Sequence, residues 1–575
     1  VLSVLGAGGY LYFRLDDEIR RQVEARFASH YREFDVKVGR ARFDPDRGIA
    51  IDNFRLTPKT ADGSPAEPIL SIDEMYLAGH VRIEQLLTNQ LQIDAIVIRR
   101  ANLRLVRQGD GRWNVSALLP LPHFSDQAPK ITIEDAASSL VDAAHPAAKP
   151  WSLQGIHLEL APLAAGAEQL NGHKQYHIAG SASGLPAREI RILGELGTTS
   201  GELDVAVTTT GLDISPELLA ILPMPATEQL KGAQATGLAD ITLHLVRPDS
   251  RAPLRWSARF KMDRGRFAHQ ALPDPLTDVT IVGQADPQRL VIERMSCKCG
   301  PASIALAANR AGWGANAPLA MSARIIGFPL TERWEKVLPE SHARTWSRFR
   351  PIGPIDAEMQ LTFDGQAWKP VVTAECRGIS LTDRLKFPYV LEQTSGRVIY
   401  RAAENGNPDQ LRLDLTGIGG GQPVKIDAVL THLAPAEPQG ISTGEGVAAN
   451  MPQKMYGIRA AGYRGAGYAG GRAARSHPLG YVEISGSDIP LHDRLLAALP
   501  PKAKSFVSDL NAHGAVDFRF RAEWTDLAQP IANTTLDIPL KDCRIQYARF
   551  RLPLQHVQGV AKGHIGSDAL WHWAL

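Results

Sequence analysis

The chain repeats itself, and that limits its fold more than any other feature. Residues 211–223 (GLDISPELLAILP) return as 327–339 (GFPLTERWEKVLP) and again as 486–500 (GSDIPLHDRLLAALP). Each copy reads as a strand end followed by a short helix. Each is then followed by a glycine-initiated alternating run: Gly237 with LADITLHLV, Gly353 with PIDAEMQLTF and Gly514 with AVDFRFRAEW. Downstream, the runs FKMDRGRFAHQALPDPL, AECRGISLTDRLKFPYVL and LKDCRIQYARFRLPLQHV correspond loosely. A small helix plus several strands, used three times, cannot bury its apolar face alone and must stack on its neighbours. The copies lie about 116 and about 159 residues apart, so the second carries an insertion. Residues 440–478, rich in Gly, Ala and Arg without apolar periodicity, read as that flexible segment.

Composition agrees with a repetitive β body. At 575 residues the chain exceeds one ordinary core, and 50 Gly with 39 Pro call for many turns and short strands. Its 63 Lys and Arg against 61 Asp and Glu leave a net charge of +2, too weak a field to attract nucleic acid. Cys297, Cys299, Cys376 and Cys543 contain no CxxC and no second pair. Neither a disulfide framework nor a metal site is expected, and they read as ordinary buried thiols. Gly465, Gly467 and Gly470 match GxGxxG but lack the strand, helix and acidic residue that a dinucleotide site needs. HExxH, GxSxG and P-loop patterns are absent, and the carboxylate pairs Asp16-Asp17 and Glu134-Asp135 read as solvated charge. The expectation is a non-enzyme without catalytic residues, cofactor or metal.

The N-terminal part reads differently. Residues 1–14 contain an uncharged apolar run with Val1, Leu2, Val4, Leu5, Tyr10, Leu11, Tyr12 and Phe13. The run is too short to span a bilayer by itself and reads as the C-terminal part of a transmembrane anchor, its tyrosines suited to the interface. Over residues 15–33, Leu15, Ile19, Val23, Phe27 and Tyr31 recur every four positions, which predicts an amphipathic helix leaving the membrane. Residues 34–125 form an N-terminal β module in which 108–111 (QGDG) closes a hairpin. Repeat modules follow at 126–235, 236–352 and 353–510, with short helices near 215–222 and 330–338 and the insertion 440–478 in the third. A partial module occupies 511–575.

The fold class predicted is mainly β with a few short helices: many strands with one apolar face each, and too few helices to cover those faces. Two arrangements satisfy that pattern. In one, an elongated, curled antiparallel sheet lines a groove whose natural ligand is an acyl chain, which gains about 0.8 kcal/mol for each buried CH₂. In the other, the faces pack on one another as dry sandwich cores.

The order of the N-terminal pieces adds a resemblance. After the apolar run come the helix from Asp16 to His30, residues 36–39 (VKVG), 48–56 (GIAIDNFRL) and 68–73 (PILSID). Leu86-Leu87, 91–98 (LQIDAIVI), 102–105 (NLRL) and 111–115 (GRWNV) complete the order. This order resembles the AsmA-like family of diderm-bacterial envelope proteins, the group of AsmA, TamB and YhdP. The resemblance implies a repeating β-groove, similar to chorein-type bridge proteins, with an inner-membrane anchor and a body in the periplasm. Such a protein moves phospholipids between inner and outer membrane in outer-membrane biogenesis, without catalytic residues or cofactor. The alternative is a non-enzymatic periplasmic scaffold or assembly factor for outer-membrane proteins, with other envelope proteins as partners. In the conduit, Ile93, Ala95, Val97, Leu103 and Leu105 touch acyl chains; in the scaffold they are dry core.

Overall fold

The computed structural model describes residues 2–44, 48–59, 66–79, 93–107, 114, 118, 129–142, 151–163, 175–185, 187–197, 201–215, 234–249, 251–269, 272, 274–314, 316–337, 340–384, 387–433, 478–499, 501–527, 531–547, 552–565 and 571–574. Among them strands dominate, as the turn-rich sequence predicts. The chain divides into two compact units, one of Val1–Pro223, Ala235–Gly265 and Ile281–Gln288, the other of Met224–Gln234, Arg266–Thr280 and Arg289–Leu575.

The first unit opens with α1 (Leu2–His30), followed by β1 (Phe34–Asp44), β2 (Gly48–Pro58), β3 (Leu70–Ala78), β4 (Ala95–Arg107) and β5 (Lys130–Asp142). It continues with β6 (Trp151–Pro162), β7 (Gln175–Leu185), β8 (Ala187–Gly197), β9 (Leu203–Ile214) and β10 (Gln234–Arg247). Strands β1 to β4 pair antiparallel in sequence order. The four-residue period of α1 sets down a stripe on them: Ile19, Phe27 and Tyr31 are buried with Ile49, Ile51, Phe54 and Leu56 in one core. The Phe27 and Phe54 rings lie 4.9 Å apart, and Glu24 accepts a hydrogen bond from the Val38 amide at 2.8 Å, which stitches the helix to β1. Burial pushes the Tyr31 phenol up to about 12.

Among these expectations the solvation of Asp16 changes. The helix runs unbroken from Leu2 to His30, and no helix among the described residues is long and apolar enough to cross a membrane. Asp16 is not solvated: it is 8% exposed, with Arg40 at 3.7 Å as its ion-pair partner. Residues 108–113 and 115–117, where the expected hairpin falls, lie outside the described residues; the next described strand, β5, runs parallel to β4. Asn114 pins the start of that connection, its side-chain amide accepting from the Val106 amide and donating to the Arg104 carbonyl, both at 2.8 Å. From β5 to β10 each strand pairs antiparallel with the next.

The boundary between the units falls within β11 (Arg255–Ala268) and β12 (Leu276–Ala285). The second unit continues with β13 (Leu290–Cys299), β14 (Ala302–Arg310), β15 (Leu319–Leu330), helices α2 (Arg333–Val337) and α3 (Glu340–Phe349), and β16 (Gly353–Phe363). Next come β17 (Trp368–Asp383), β18 (Phe387–Arg401), β19 (Gln410–Gly419), β20 (Gln422–Thr431) and β21 (Leu479–Pro490). Helices α4 (Asp493–Ala498) and α5 (Pro501–Asp509) precede β22 (His513–Trp524), β23 (Asn533–Ile545), β24 (Leu554–Ile565) and β25 (Trp571–Ala574). From β13 onward every strand pairs antiparallel with its successor. The helix expected near 215–222, residues 440–477 of the insertion and the GxGxxG glycines lie outside the described residues.

The repeat is visible as a recurring β-bulge. Thr210-Gly211 on β9 lies against Asp240 on β10, Ile326-Gly327 on β15 against Asp356 on β16, and Ser487-Asp488 on β21 against Asp517 on β22. Each bulge frees one amide from the ladder, and the facing carboxylate takes it: Gly211 to Asp240 at 2.8 Å, Gly327 to Asp356 at 2.8 Å, Asp488 to Asp517 at 2.9 Å. The bulged residues share a left-handed backbone, with φ of 63°, 69° and 57°. The counterpart of Gly327 is therefore Asp488, not Gly486, and residues 488–500 match 327–339 without a gap.

Candidate functional site: an uncovered apolar sheet face

Following hydrogen-bonded neighbours across the second unit gives rows of side chains on one face. One row runs Ile304, Ile325, Ala357, Ala374, Val398, Leu413, Ala428, Val482, Ala522, nine strands without a polar residue. At a strand spacing near 4.8 Å it is about 40 Å long. A parallel row two residues along contains Ile355, Cys376, Gly396, Leu415, Ile426, Ile484 and Phe520, and one on the other side contains Met359, Val372, Tyr400, Leu411 and Leu430. The row lying between the first two, whose side chains point to the opposite face, is Asp356, Glu375, Arg397, Asp414, Asp427, Glu483 and Arg521. The sheet thus has one apolar and one charged face.

The charged face is tied by cross-strand pairs such as Arg397 to Glu375 at 2.8 Å and Arg519 to Glu483 at 2.9 Å. The Arg519 hydrogen bond, and behind it Arg521, hold the Glu483 carboxyl below its usual range against the opposing effect of burial. Among the described residues the apolar face has no such closure. Met359, Val372, Leu411, Leu413 and Val482 are half-buried, and the buried clusters of the unit are small, one around Cys376, Ile379 and Leu415 and one around Leu391, Val424 and Ile489. Among the described residues, α3 packs on β17 and α4 on β18 near the strand ends, leaving the middle of the rows free of helix. An apolar face of this extent marks a surface for a protein partner, a membrane or a hydrocarbon ligand.

The sequence-predicted lining residues fall in different places. Ile93 is 2% exposed and belongs to the core beneath α1. Ile96 and Ile98 face that core, so Ala95 and Val97, their alternate neighbours, point to the other face of β4. Arg100, at φ 50°, interrupts the alternation, and beyond it Ala101 and Leu103 return to the core side, with Leu105 in step. Strict period-two reading cannot register such a switch. The residues that sequence reasoning missed are the rows of the second unit; their signal is the apolar alternation of β14 to β17, broken once by each bulge.

All four cysteines are free and buried, and burial pushes each thiol up. No group of His, Cys, Asp and Glu among the described residues could hold a metal. Compared with known proteins, the chain matches no family model, no curated protein and no solved structure.

Proposed function

We propose that this protein holds phospholipid acyl chains on its uncovered apolar face and passes them along that face between an inner and an outer membrane. In this reading the N-terminal segment is fixed at the inner membrane and the body works in the periplasm, without chemical catalysis. The observation that carries it is the nine-strand row from Ile304 to Ala522, wholly apolar yet half-buried over most of its length. A face that needed only to be a dry core would gain by full burial, at about 25 cal/mol for each Å². The N-terminal order of elements, with its resemblance to AsmA-like proteins, supports the same reading.

Mass spectrometry of lipids retained by the full chain after gentle extraction tests it. Removing α1 is unsuitable, because its Ile19 and Phe27 are core. Several phospholipids per chain are expected, and a Met359→Asp/Leu413→Asp variant should keep its circular dichroism and lose them, since both side chains line the face and neither is fully buried. Lipid-free wild-type protein, or unchanged lipid in the folded variant, sinks the conduit and leaves the scaffold.

A further inference from the structure

Two equivalent places in the repeats differ by one carboxylate. At the start of α2, Arg333 donates from Nη1 to Asp274 Oδ1 at 3.1 Å, beside the left-handed turn residue Gly300 at φ 56°. In the register fixed by the bulges, Arg494 on α4 is the counterpart of Arg333, and Gly420, at φ 61°, is that of Gly300. Tyr389 is the counterpart of Asp274: it precedes the positive-φ Gln393 by the same interval at which Asp274 precedes the positive-φ Asp278. The chain's own counterion in one repeat is thus a neutral phenol in the next. Among the described residues no carboxylate pairs with Arg494.

The groups around that vacancy of charge are polar and unpartnered. The Tyr389 hydroxyl and His492 Nδ1 are buried without a hydrogen-bond partner. Both rings crowd Gly420, where a Cβ would meet Tyr389 Oη at 2.5 Å and His492 Nε2 at 3.4 Å, and their centroids are 6.3 Å apart. Burial raises the Tyr389 phenol and the Arg494 charge opposes that rise; Arg494 is exposed on α4, which packs on β18, the strand that carries Tyr389. Leu391, Val424, Ile489 and Leu495 pack beside these groups, and the same cluster includes Ile426 and Ile484 of the apolar row. A cation, a phenolic O–H and an imidazole therefore stand where the apolar face begins.

We propose that Arg494, Tyr389 and His492 bind the phosphate of a lipid, which supplies the negative charge that the Asp274 carboxylate supplies in the neighbouring repeat, while the acyl chains continue on to the apolar face. The proposal rests on the acyl-chain reading above for its lipid part. The phosphate accepts from the Tyr389 hydroxyl and from the guanidinium, and inorganic phosphate offers the same acceptors without the chains.

Calorimetric titration of the full chain with dihexanoyl phosphatidylglycerol, dihexanoylglycerol and inorganic phosphate separates these sources. The phospholipid is expected to bind at least about tenfold more tightly than the neutral diglyceride. That advantage should vanish in Arg494→Gln and in Tyr389→Asp, with diglyceride binding unchanged. Arg494 is exposed, so Arg494→Gln should keep the circular dichroism and melting temperature of the wild type, which guards against a folding artefact at the packed Tyr389. Equal affinity of the two lipids for the wild type, or an advantage that survives both substitutions, overturns the site while leaving the acyl-chain reading in place. Phosphate bound by the wild type and not by Tyr389→Asp, with neither lipid bound, supports the anion site and overturns the acyl-chain reading.

Discussion

In the first unit a single row of side chains passes from cover to no cover. It runs Ala41, Ile51, Met75, Ile98, Ile133, Leu158, Gly180, Ile192, Val207, Leu243 across ten strands. Its first three members, beneath α1, are 1%, 0% and 3% exposed, whereas from Ile98 onward every member is half-buried. The composition is the same throughout; the helix is what differs. An apolar row is therefore a core only where another element lies on it, and periodicity alone cannot tell a core from a binding face.

Charge is the sharpest way to break this comparison. Ile51→Asp buries an unpaired carboxylate and should cost about 4 kcal/mol or more, measured as a loss of denaturant midpoint, whereas Ile192→Asp in the same row should cost about 1 kcal/mol, because water reaches it. Similar costs at both positions would mean that the second half of the row is a closed core after all. A smaller effect is expected at the bulges. Gly353 has φ 135°, and a Cβ there would lie 2.9 Å from the Ile379 Cα, so Gly353→Ala should cost about 2 kcal/mol in the second unit and leave the amides of β1 to β4 as slow to exchange as before.

The smallest effect is a pH dependence. Asp517 is held below the usual carboxylate range, first by Lys541 and then by the Asp488 amide, with burial opposing. A depressed folded pKa gives stability that is complete above the unfolded value and lost as pH falls through the folded one. Exchange of the Asp488 amide should therefore quicken below about pH 4, and Asp517→Asn should flatten that response. An amide indifferent to acid would mean that the ladder, not the carboxylate, holds the bulge.

Much of the repeat could be read from the chain, because its markers are local. Gly353 and Asp356, like Gly514 and Asp517, lie three residues apart, and each copy of the repeated segment ends in Leu-Pro. The missing part is the parity switch. Asp488 occupies a glycine position, so matching glycine to glycine places the third copy two residues early, and the left-handed position at Arg100 carries no glycine at all. Ala95 and Val97 lie on the opposite face of β4 from Leu103 for the same reason: the left-handed Arg100 resets the alternation, at a cost that only the surrounding sheet repays. Tyr389 and Arg494 were illegible as a pair, being brought together by the packing of α4 on β18, about a hundred residues away in the chain.

Within each unit, every described strand pairing joins neighbours in sequence. No strand has to wait for a distant partner, so the loop-closure entropy that slows most β topologies is small at every step. Such a sheet can be laid down one strand at a time from its N-terminal edge, each finished strand serving as the template for the next. Even residues 432–478, between β20 and β21, add only about 0.6 kcal/mol of closure cost for each doubling of their length. Unfolding is expected to retrace the same geometry, so the amides of an edge strand should exchange before those of its inner neighbours.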